Sequence, residues 1–107
     1  MLTIVKVEVK GNTEWRCFRA RGGSWVAVCD PLGLTIQGET WAAMTESIAE
    51  TLNAMLTDLI ASKELERFLR DRGWQITGPL PSPPADLWFD VPFTTRTADR
   101  DSEAALR

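Results

Sequence analysis

Residues Ser24–Leu56 read SWVAVCDPLGLTIQGETWAAMTESIAETLNAML, and their punctuation decides the fold. Trp25 to Cys29 is a short apolar run rich in β-formers, which predicts a strand. Asp30-Pro31-Leu32-Gly33 then predicts a turn, because Pro fixes φ and Gly tolerates positive φ. Leu34 to Gln37 reads as a short extension into a helix entry. Thr40 is the expected N-cap, its hydroxyl accepting a first-turn N–H. Trp41, Met44, Ile48, Leu52, Met55 and Leu59 recur at 3-4 spacing and form one apolar stripe of a long helix. Ala42, Ala49, Leu56 and Ile60 flank that stripe. Glu46, Glu50, Asn53 and Thr57 fall on the opposite face.

Working outward, Leu2 to Val9 and Trp15 to Ala20 alternate as two further strands. A tight hairpin at Gly22-Gly23 would set Arg21 against Ser24 and Cys17 against Val28. Cys29 would then face Arg16, on the other side of the sheet from Cys17, so no disulfide is expected. On the C-terminal side, Ser62 is placed to cap a second helix running through Arg72. Leu65, Phe68 and Leu69 form its apolar side, and Gly73 ends it. Gly78 to Pro84 is a proline-rich connector. Leu87 to Phe93 predicts a final strand, with Pro92 favouring an edge position. Residues 94–107 read as a polar, frayed tail after a domain spanning 1–93. The expected fold class is α+β: a three- to four-stranded, mainly antiparallel sheet with one long helix on a face, a short second helix and a final edge strand.

Composition narrows the function. With 107 residues the chain makes one modest core. No apolar run approaches a membrane span, and the N-terminal segment reads as a strand rather than a secretory leader, so a cytoplasmic protein is expected. Two cysteines are too few for a disulfide framework. There is no histidine, which removes the commonest general base and the commonest metal ligand. No phosphate-binding glycine motif appears, and the carboxylates are not clustered for two-metal chemistry. No enzyme activity, no cofactor and no metal site are therefore expected. Charge is unevenly spread. Residues 22–62 hold Asp30, Glu39, Glu46, Glu50 and Asp58 and not one Lys or Arg. Such a segment repels phosphate backbones and attracts basic partners. Arg16, Arg19 and Arg21 make only a small basic strip.

Several of these residues carry a family pattern. Gly22-Gly23, Trp25, Val26 to Val28, Cys29-Asp30-Pro31-Leu32-Gly33 and Thr35-Ile36-Gln37-Gly38-Glu39-Thr40 resemble the core of the HicB-like antitoxin family. That pattern has a Gly-rich hairpin, an aromatic residue, a strand ending in Pro-Asp-Leu-Pro-Gly, and a Thr-x-Gly-x-Thr helix entry. The chain departs from it at Cys29 and Leu32, where the family has proline, and at Trp41-Ala42-Ala43, where acids are usual. The resemblance implies a pared-down ribonuclease-H-like sheet crossed by one helix that silences an RNA-cleaving toxin. A late Pro-Ser-Pro segment followed by a last strand fits the same layout. Fourteen residues after Phe93 are too few for the family's DNA-binding extension, so no nucleic-acid binding by the protein alone is expected.

With the resemblance, these observations lead to the expectation of a non-enzymatic, protein-binding module, a HicB-like antitoxin that masks a small basic toxin. Trp25, Asp30, Glu39, Glu46 and Glu50 are the candidate partner-binding residues. The wide apolar arc of the long helix and the exposed edge of a small sheet predict a homodimer. A self-associating adaptor with no toxin is the alternative. A single-strand nucleic-acid binder using strand aromatics is a third.

Overall fold

The computed structural model describes residues 4–78 and 86–97. In chain order these form β1 (Ile4–Lys10), β2 (Thr13–Arg19), β3 (Trp25–Cys29), a 3-10 turn (Asp30–Leu32), β4 (Leu34–Gly38), α1 (Trp41–Ala61), α2 (Leu65–Arg72), β5 (Gln75–Ile76), β6 (Asp86–Asp90) and β7 (Phe93–Thr97). The protein is α+β, and its described residues form two helices, one of them long, on mixed sheets of three and four strands. It divides into two compact units, Thr13–Ile48 with Phe93–Arg107, and Met1–Asn12 with Ala49–Pro92.

The first of these units holds a four-stranded sheet in the order β4-β3-β2-β7. β2, β3 and β4 form an antiparallel meander, and β7 runs parallel to β2. Alternation along β2 buries Thr13, Trp15 and Cys17, and the facing Ala27, Cys29 and Ile36 share that side. Met44 and Ile48 of α1 complete the core. α1 begins where expected: the Ala43 N–H donates to the Thr40 hydroxyl at 3.0 Å. Gly38 lets the helix start close to the sheet, since a Cβ there would lie 2.5 Å from the Met44 nitrogen.

The hairpin between β2 and β3 departs from the expected register by one residue. Cys17 faces Ala27, not Val28. The loop has three residues, closed by the Ala20 N–H to the Ser24 carbonyl at 2.7 Å, with Gly23 at φ +93°. A type I turn followed by one left-handed glycine suits a three-residue loop, and the longer loop shifts every pair. Cys29, two residues beyond Ala27, therefore shares the Cys17 face. Both thiols are free and buried.

The second unit has a three-stranded sheet, β5-β1-β6, with β5 antiparallel and β6 parallel to β1. Val7, Val9, Phe89 and Val91 meet Leu52, Leu56, Leu65 and Leu69 in its core. Asn53, expected on the outer face of the helix, is instead half-buried, and its Oδ1 accepts the Phe89 backbone N–H at 2.7 Å. Gly73 ends α2 with φ +69°, as expected. Ser62 does not cap α2. Glu64 holds that position, while the Ser62 hydroxyl donates to the Leu59 carbonyl at 3.2 Å and so belongs to the end of α1.

Two more expectations are corrected. The single strand expected over Leu87–Phe93 is two strands, broken at Val91-Pro92, because Pro has no N–H for a continuous ladder. β7 then takes residues 94–97 out of the expected tail, its threonines suiting a strand. The connector from Pro79 to Pro84, and residues 98–107, lie outside the described residues.

Candidate functional site

The five residues expected to bind a partner fall in three places. Trp25 opens β3, opposite Arg19 on β2 and Gly38 on β4. Its ring meets Trp41 edge-on, with centroids 5.0 Å apart at 81°, and the Arg19 guanidinium lies 5.4 Å from its centre. Trp41 heads the apolar stripe read from the sequence. As the first residue of α1 it overhangs the buried stripe and stays 36% exposed. Glu39 follows Gly38 and is exposed at this same end of the sheet. These residues make an open aromatic rim bearing one cation and one acid.

Asp30 lies at the far end of β3, roughly 17 Å along the strand from Trp25. Both of its oxygens accept from Arg16, at 3.1 Å each. That fork already engages the charge of Asp30, so it is the least available of the five.

Glu46 and Glu50 sit one turn apart on the exposed face of α1. They belong to a longer row at four-residue spacing: Ala42, Glu46, Glu50, Ala54 and Asp58, all exposed. Asp58 is an addition to the expected site, and the spacing itself is the signal that finds it. Among the described residues none of Glu39, Glu46, Glu50 and Asp58 has an ion-pair partner. This placement is not what helix stability favours. α1 has no acid in its first turn and no base in its last, where Asp58 meets the negative end of the dipole. Glu46 and Glu50 repel each other by a few tenths of a kcal/mol. The row is acidic at a small loss to the helix that carries it.

The solvent side of the four-stranded sheet has a different character. Phe18, Val26 and Val28 form its half-buried middle, with Arg16, Arg96, Thr35 and Gln37 around them. Each arginine is matched by an acid, Arg16 by Asp30 and Arg96 by Glu14 at 3.8 Å. Among the described residues, each cation on this face has an acid beside it.

Among the described residues no three Cys, Asp or Glu side chains come together as a metal site. Burial pushes the Cys17 and Cys29 thiols up; at Cys29 a backbone hydrogen bond from Leu32 works against the rise and the Asp30 charge adds to it. An open groove of about 440 Å³ is lined by Ile60, Leu65, Leu69 and Ile76, with Lys63 and Glu66 at its border. No helix among the described residues is long and apolar enough to cross a membrane. Comparison with family models, with curated proteins and with solved structures finds no match.

Proposed function

We propose that the protein is a non-enzymatic binding module that masks a basic protein partner with the outer face of α1, in the manner of a HicB-like antitoxin on an RNA-cleaving toxin. The observation that carries this reading is the exposed row of Glu46, Glu50 and Asp58 on a helix without a single cation. Its charge serves neither the helix nor an internal ion pair, so an external cationic surface is its natural counterpart. A protein that binds RNA must present such a surface to phosphates. Covering that surface with carboxylates excludes RNA sterically and competes for the same cations. The field of the row also speeds encounter with a basic partner. Trp25 and Trp41 supply the kind of aromatic anchor that dominates interface energies, and Glu39 adds charge beside them.

The test is co-isolation from the native host with the wild type and with E46K/E50K/D58K. All three positions are exposed, and surface changes of this kind usually shift stability by within about 0.5 kcal/mol each. The wild type should retain a small basic protein and the variant should lose it. A variant that retains the same protein equally well, or a wild type that retains none, refutes the reading. A self-associating module with no toxin partner is the second reading, and β4, an edge strand of five residues with neither charge nor proline, favours it.

A further inference from the structure

Open sheets end in strands whose outer N–H and C=O groups lack a partner strand, and such edges recruit other strands unless blocked. Among the described residues the two sheets have four edges: β5, β6, β7 and β4. β5 is two residues long. β6 is bounded by Asp86 and Asp90, and its Phe89 amide is taken by Asn53. β7 follows Pro92 and carries Arg96. β4 has five residues, LTIQG, with no charge and no proline, and its five consecutive pairs with β3 leave no bulge. It is the one edge among the described residues that none of the usual devices protects.

We propose that β4 pairs antiparallel with β4 of a second copy, about a two-fold axis at Ile36. The strand is self-complementary in that register. Thr35 faces the partner's Gln37 on the exposed side, hydroxyl against amide. Leu34 faces the partner's Gly38, in the row that begins at Trp25 and beside which Trp41 remains 36% exposed. Glu39, the nearest acid, stands three positions from the axis, so the two copies of it end about 20 Å apart and do not repel strongly. A foreign strand would satisfy the same backbone groups, but β4 has no charged side chain to set its direction or register. Five residues of pairing make a smaller interface than the ~800 Å² per partner of a stable complex. The dimer is therefore a micromolar one, and it is independent of whatever the acidic row of α1 binds.

Sedimentation equilibrium of three proteins tests this. T35K/Q37K sets lysine against lysine twice across the axis, whereas T35K/Q37E sets lysine against glutamate twice. Both positions are exposed, so both variants should fold, which circular dichroism checks. Wild type at about 50 µM should show twice the monomer mass. T35K/Q37K should dimerise about tenfold more weakly, the sum of two like-charge pairs, and T35K/Q37E should recover the wild-type constant. A monomeric wild type, a dimer indifferent to T35K/Q37K, or equal loss in both variants overturns the proposal.

Discussion

Asn53→Ala should be the most damaging polar substitution in α1. The side chain is half-buried, and its Oδ1 accepts the Phe89 amide at 2.7 Å. Among the described residues β6 is an edge strand that pairs with β1, and Phe89 is only 1% exposed. With the acceptor gone, that amide has neither a strand nor bulk water to bond. An orphaned buried donor costs about 1–3 kcal/mol, so a loss of about 2 kcal/mol is expected. That is a large share of the roughly 5–15 kcal/mol that holds an ordinary domain together. At roughly 4–8 °C per kcal/mol for a domain of about this size, Tm should fall by about 10 °C. Asn53→Asp keeps an acceptor oxygen and should recover much of the loss. The assay is urea unfolding with the slope held constant between variants, joined to amide exchange at Phe89. A variant within about 0.5 kcal/mol of wild type, or unchanged exchange at Phe89, would refute the reasoning.

Gly38→Ala places a Cβ 2.5 Å from the Met44 nitrogen and 2.8 Å from its Cα, backbone that cannot rotate away. The first turn of α1 must move, and a loss of about 1–3 kcal/mol is expected by urea unfolding; a wild-type midpoint contradicts the close approach. Cys17 and Cys29 should resist a thiol reagent until the protein unfolds, because burial raises both thiols above the ordinary 9.0. The sign for stability follows: the unfolded chain loses these protons first as pH rises, so their contribution is level below about pH 8 and declines above about pH 9. C17A/C29A should therefore lose less stability than wild type between pH 8 and pH 10, each compared with its own value at neutral pH; parallel pH curves would show the thiols to be solvated.

Features with local causes were legible in the sequence. The bounds of β3, the Thr40 cap and the Gly73 stop each depend on residues within a turn or two. Features with distant causes were not. The tight turn expected at Gly22-Gly23 differs by one residue from the observed loop, because two adjacent glycines permit either length. β5 and β7 exist through pairing with β1 and β2, and nothing in Gln75-Ile76 alone announces a strand. Glu46 and Glu50 could be read from helical spacing, and the same spacing reaches Asp58. Asn53 was misplaced because periodicity separates apolar from polar faces but cannot tell an exposed polar residue from one at the core boundary. Trp25, Asp30 and Glu39 were named as candidates without their places in the sheet, and the length of β3 carries Asp30 to the end opposite Trp25 and Glu39.

The binding surface is tested most directly by the affinity of the co-isolated partner for wild type and E46K/E50K/D58K across a salt series. Raising ionic strength from about 0.05 M to 0.5 M shortens the Debye length well below 10 Å and screens exposed charges. Wild-type affinity should fall steadily with salt. The variant should bind at least about tenfold more weakly at low salt and gain affinity as its lysines are screened. Equal affinities for the two proteins, with no dependence on salt in either, would contradict an acidic binding face on α1.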